Sequence, residues 1–239
     1  MIEINCDLGE GISDEELIYP WIDAASIACG GHYGDEKSIL KSMELALKYD
    51  VKIGIHPSYP DLENFGRKSL NIPIDELIKS LKIQLDLFLK VAHPLHVKLD
   101  HLKFHGALYN DAAKDKNLAE ELVSFVHSQL PQIPILVPPF SEMQRAAENS
   151  KHPIRLEVFA DRTYTDDLKL LDRSQPNSLL TTLPEVENHI SPILNQGQLI
   201  SNSGKKFSIQ ADTLCIHGDN PGILSFLPKL RQKFWSKLS

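Results

Sequence analysis

The sequence predicts an α/β protein, an incomplete seven-stranded parallel β/α barrel with helices outside. Three observations carry this. Short apolar runs recur at 2–8, 24–30, 52–57, 101–106, 133–138, 154–160 and 213–218. They are rich in Ile, Val, Leu and Cys and do not alternate cleanly, as expected of strands buried on both faces. Amphipathic helical patterns lie between most of them, and strand–helix alternation implies a parallel sheet. Seven units fall one short of the usual eight-fold barrel. A doubly wound open sheet stays open as the alternative.

Leu77, Leu81, Leu85 and Leu89 fall at i, i+4 spacing and predict one outer helix, as Leu118, Leu122 and Val126 predict another. Ile223, Leu227 and Leu230 mark the last helix, with Asn220 as N-cap and Pro221 at its first position. The segment 178–210 breaks the rhythm. There Ser178–Thr182 precedes a helix, and Asn202-Ser203-Gly204 turns a hairpin within about 198–210. No stretch is rich enough in Gly, Ser or Pro to be a linker, so 1–239 reads as one domain carrying that hairpin as an insertion.

The chain has 239 residues, 42% hydrophobic and 24% charged, an ordinary soluble composition. Its net charge of -7 argues against nucleic acid. The densest basic cluster, Lys229, Arg231, Lys233 and Lys237, suits the C-terminal half of a helix. No apolar run approaches a membrane span, and the first residues lack the pattern of a signal peptide. Three widely spaced cysteines, Cys6, Cys29 and Cys215, without a C-x-x-C, read as reduced thiols packed as small hydrophobes in a cytoplasmic protein.

Ionisable residues collect at the ends of the predicted strands. Asp7 and Glu10 follow the first, His32 the second, His56 the third, and Lys103 and His105 the fourth. Glu157, Asp161 and Arg162 end the sixth, and His217 and Asp219 the last. In parallel α/β architectures the C-terminal strand ends form the active-site rim. Four histidines at such ends, His32, His56, His105 and His217, read as a functional cluster. His93, His96, His101, His127, His152 and His189 lie in helices, loops or strand starts and read as surface residues. Asp7 is a candidate base or ligand, whereas turn formation competes as an explanation of Glu10. The glycines around 197–204 with Lys205-Lys206 lack phosphate-loop spacing.

In order along the chain, Asn5-Cys6-Asp7-Leu8-Gly9-Glu10, Ile27–His32, Gly54–Asp61 and Phe65-Gly66-Arg67 resemble motifs of the LamB/YcsF family. So do Lys103 with His105–Asn110, Glu157–Tyr164 and Ile216–Asp219, and the match covers roughly residues 2–222. The resemblance implies a glycoside hydrolase/deacetylase-like barrel. It also implies the activity of an ATP-dependent 5-oxoprolinase, which opens 5-oxo-L-proline to L-glutamate together with B and C subunits. On that basis Asp7, His32, His56, Lys103 and His105 are the expected catalytic residues. Glu10, Arg67, Tyr109, Asn110, Glu157, Asp161, Arg162, His217 and Asp219 are expected to contact the lactam or ATP. A divalent metal is expected either as Mg with ATP or as a transition ion on Asp7, His32 and His56. Phe104, Gly31, Asp167 and Asn177 depart from the family pattern. Two rivals remain: a metal-dependent deacetylase working alone, with Asp7 as base, and a non-catalytic lactam-binding subunit.

Overall fold

A computed structural model describes residues 2–235. Strands β1 (Glu3–Leu8), β2 (Ala24–Ala28), β3 (Lys52–His56), β4 (Leu99–Leu102), β5 (Ile135–Val137) and β6 (Ile154–Phe159) follow one another around a barrel. Two short strands, β7 (Gln198–Ile200) and β8 (Lys206–Ser208), pair antiparallel outside it, and β9 (Thr213–His217) inserts between β6 and β1. All seven barrel pairings are parallel and the sheet closes on itself, so the open-sheet alternative falls.

Helices α1 (Glu36–Lys48), α2 (Ile74–Ala92), α3 (Gly106–Ala112), α4 (Lys116–Gln129), α5 (Glu142–Asn149), α6 (Leu183–Gln196) and α7 (Ile223–Trp235) complete the fold. The Leu77, Leu81 and Leu85 stripe of α2 and the Leu122 and Val126 stripe of α4 are buried against the barrel wall. Asp35 starts α1 and Asp115 starts α4, each accepting two backbone N–H bonds that the first turn cannot satisfy internally. The last helix begins two residues later than its sequence signals place it. Asn220 Oδ1 accepts the Gly222 N–H, while its amide group is drawn to Asp161 and the Leu180 carbonyl. Of the C-terminal basic cluster, Arg231 clasps Asp23 through two bonds and Lys233 meets Glu187; Lys237 lies outside the described residues.

The barrel interior is polar, and that positions the site. On β1, Asn5 and Asp7 alternate with Ile4, Cys6 and Leu8. Asn5 donates across the barrel to Glu157 (3.0 Å) and to Thr213 (2.7 Å). One layer away Ser26 meets His101 at 2.9 Å, and His101 contacts Asp100 at 3.0 Å. His101 is fully buried, and His152 is buried too, so the surface reading of these two histidines is wrong. Both sit where strand or loop backbone turns them inward, and each is held by hydrogen bonds, as buried polar groups must be.

Candidate active site

Two connected groups of side chains occupy the C-terminal mouth of the barrel. The first centres on Lys103, which directly follows β4 and whose N–H continues the ladder to Ile55 O at 2.9 Å. Its ammonium is buried and lies 2.8 and 3.1 Å from the two carboxylate oxygens of Asp7, 3.1 Å from Glu157 and 3.0 Å from Cys215 Sγ. Burial disfavours the charge, but Asp7, Cys215 and Glu157 outweigh it and raise the Lys103 pKa well above its usual value. Burial likewise opposes ionisation of Asp7. His56 and Lys103 more than offset it and hold the carboxyl well below the usual range. Cys215 goes the other way: burial and the nearby Asp7 keep it a thiol. All three cysteines are free and buried, as the sequence implies.

Beside this centre stand Glu10, His32, His56 and His105, whose ligand atoms lie within 4.8 Å of one another. His32 Nε2 donates to Glu10 Oε1 at 3.0 Å, and the His32 and His105 rings stack with centroids 3.6 Å apart. Gly66 makes room for them. It sits at φ 63°, and a Cβ there would come within 2.9 Å of His32 Cβ and 3.0 Å of His105 Cδ2. Burial lowers His32 to about 4 and His56 to about 3, so both rings are neutral at pH 7. Glu10 is ionised: burial resists this, but the neighbouring His105 and His32 prevail and lower its pKa. Its side chain turns into the histidine cluster, so turn formation does not account for it. Of the three expected metal ligands, His32 and His56 belong to this cluster, while both oxygens of Asp7 face the Lys103 ammonium.

The second group stands beside Asp7, whose register partner on β9 is His217. Asp161 and His217 meet at 2.9 Å through Oδ1 and Nδ1. A carboxylate cannot donate, so Nδ1 carries the hydrogen, and in the neutral tautomer Nε2 is the acceptor. Burial opposes the Asp161 charge, and His217 and Asn220 overcome it and lower its pKa. The His217 ring stacks on Phe159 and lies at the wall of a cavity of about 800 Å³. Asp7, Lys103 and His105 line the same cavity.

The remaining expected site residues divide. Arg67 and Asp219 form an ion pair at the rim, and Asp219 also reaches Arg173 at 3.3 Å. Tyr109 lines the cavity, and burial together with the nearby Glu157 raises the pKa of its hydroxyl well above the usual value. Asn110 also lines it, but its amide donates to Gly106 O in its own helix. Arg162 braces the rim. Its Nε donates to Ser178 O (3.0 Å) and its Nη2 to Leu171 O (2.6 Å), tying down the loop that walls one side of the cavity. Sequence reasoning missed Arg173 and the Lys103 contact of Cys215. No motif marks Arg173, whereas Cys215 lies two residues before His217 on a strand whose alternate residues face inward.

The departures from the family pattern have local explanations. A Cβ on Gly31 would stand 2.4 Å from both Gln84 Oε1 and Ser58 Oγ, so Gln84 fills the space a larger residue would take. Asn177 adopts φ 60°, a conformation suited to glycine that Asn tolerates better than most. Asp167 binds Thr165 and Lys169 within the rim loop. Phe104 is buried and lines the cavity, while Lys103 and His105 on either side both reach the site.

Comparison with known proteins agrees with the resemblance. The chain is 38% identical over 237 residues to the 5-oxoprolinase A subunit of Vibrio cholerae, covering 96% of each. It is 34% identical over 236 residues to the Staphylococcus aureus protein of the same name, covering 97% of this chain and 94% of that one. The solved lactam utilization protein from Thermus thermophilus superposes with a TM-score of 0.88 at 28% identity, covering 97% of this chain and 96% of the other. An Enterococcus faecalis structure described as a cellobiose-phosphate cleavage protein shares the fold alone, with a TM-score of 0.53 at 13% identity; the match covers 90% of this chain and 79% of that one. The family model for LamB/YcsF matches residues 2–237, and this chain belongs to the LamB/YcsF family.

Proposed function

We propose that this chain is the A subunit of an ATP-dependent 5-oxoprolinase, acting in the cytoplasm with B and C subunits to open 5-oxo-L-proline to L-glutamate. The observation that carries this reading is the meeting of the Asp161–His217 pair and the Lys103 centre at one cavity, in a chain related over its full length to 5-oxoprolinase A subunits.

A five-membered lactam is a resonance-stabilised amide and a poor electrophile. Transfer of the γ-phosphoryl group of ATP, with its Mg, to the amide oxygen makes the ring carbon attackable. Water then adds to that carbon, the C–N bond breaks as nitrogen takes a proton, and a second water releases phosphate from the acyl phosphate. His217 is placed to accept the proton of the attacking water at Nε2, because Asp161 fixes the tautomer and stabilises the imidazolium that forms. Lys103 is a buried, fixed positive charge beside the cavity, suited to the oxyanion or phosphoryl oxygen. Arg67 and Arg173, which share Asp219, suit the substrate carboxylate at the rim. A lone deacetylase would need Asp7 available as base, and the Lys103 ammonium holds both of its oxygens.

The test is glutamate formation from 5-oxoproline and ATP, with this chain alone and then with cognate B and C subunits. Glutamate from the complete mixture only, with matching phosphate release, is the expected result. No glutamate from a verified, folded complex overturns the proposal.

A further inference from the structure

We propose that Glu10, His56 and His105 form a binding site for a divalent transition metal of the zinc class, with two histidines and one carboxylate as ligands. Hydrogen positions provide the first reason. His56 Nδ1 lies 2.8 Å from the Lys103 carbonyl oxygen, and His105 Nε2 lies 3.0 Å from the Phe65 carbonyl oxygen. A carbonyl only accepts, so each of these nitrogens carries a hydrogen. In neutral rings, His56 Nε2 and His105 Nδ1 are then both lone-pair nitrogens, and they face each other at 2.9 Å. Bare lone pairs at that distance repel, and one cation relieves the repulsion.

Spacing provides the second reason. Glu10 Oε1 stands 3.3 Å from His105 Nδ1 and 3.8 Å from His56 Nε2. Ligands about 2.1 Å from a zinc-class ion stand about 3.0–3.4 Å apart at square or tetrahedral angles. The three observed separations bracket that range.

The surroundings provide the third. Metal-binding histidines almost always give their other N–H to a carbonyl or carboxylate, and ligating carboxylates are themselves hydrogen-bonded. Both rings meet that description through Lys103 O and Phe65 O, and His32 Nε2 supplies the bond to Glu10 at 3.0 Å. His32 is therefore an outer positioning residue. Two imidazoles to one carboxylate favour a zinc-class ion over Mg, which prefers oxygen and water. Asp7, although 3.5 Å from His56, is committed to Lys103 and is not required. A shared proton is the competing cation.

The full chain, stripped with a chelator, is titrated with Co(II) while visible d–d absorption is followed, and Zn(II) is then added to displace it. The site predicts about one Co(II) per chain, displacement by Zn(II), and a higher melting temperature with metal. His105→Ala, His56→Ala and Glu10→Gln each lose stoichiometric binding. His32→Ala weakens it about 10- to 100-fold, and Asp7→Asn retains it. A folded wild-type chain without stoichiometric binding overturns the site in favour of the shared proton. Binding that survives His105→Ala but is lost in Asp7→Asn overturns the ligand assignment. These readouts need neither substrate nor partner subunits, so they stand or fall apart from the oxoprolinase assay.

Discussion

His217 Nδ1 and Asp161 Oδ1 are 2.9 Å apart, and the second oxygen of Asp161 accepts from Asn220 (2.9 Å) and from the His217 N–H (3.2 Å). The carboxylate thus grips both the ring and the backbone of the histidine. Asp161→Asn should leave the barrel folded but disfavour the correct tautomer. In the assembled enzyme kcat is expected to fall by about 10³-fold or more with KM little changed. Steady-state kinetics of the reconstituted complex check this.

The same carboxyl makes stability depend on pH. Its folded pKa lies below the unfolded value because His217 and Asn220 overcome burial. Its contribution is therefore present above the unfolded pKa of about 3.9 and is lost as pH falls through the folded one. Urea denaturation at pH 7 and at acid pH should show Asp161→Asn destabilising at pH 7, with the gap to wild type narrowing on acidification.

Lys103→Met removes the cation that Asp7 and Glu157 share inside the barrel. Leaving buried carboxylates uncompensated costs about 3–5 kcal/mol. The midpoint of denaturation should drop accordingly at pH 7, and the deficit should shrink at lower pH, where protonation relieves it.

Gly31 and Gln84 compete for one space. Gly31→Phe should destabilise the chain by about 1–3 kcal/mol through overpacking. Gly31→Phe with Gln84→Ala should recover part of that loss, although the Ser58 backbone then loses both of its Gln84 hydrogen bonds. A double-mutant cycle in urea reads the coupling.

Much of this was legible in the sequence. The barrel followed from apolar-rich strand runs that do not alternate cleanly and from the leucine stripes of α2 and α4. The rim followed from polar residues at strand ends, because parallel strands aim those ends the same way. Partnership was not legible. Lys103 and Asp7 lie 96 residues apart, and only barrel closure brings them together. The assignment of Nδ1 and Nε2 on His56 and His105 depends on carbonyls whose positions no local pattern reveals. His101 was misread because β4 begins at Leu99, two residues before the run that marked it, which puts His101 inside the strand with its ring against Ser26 in a polar barrel interior.

The most direct test of the central claim, that this chain's own mouth performs chemistry, is turnover of the reconstituted complex carrying His217→Gln. The expected result is a complex that assembles normally and yields glutamate and phosphate at least about 100-fold more slowly than wild type. Full turnover by that variant would contradict it and leave the chain a binding subunit.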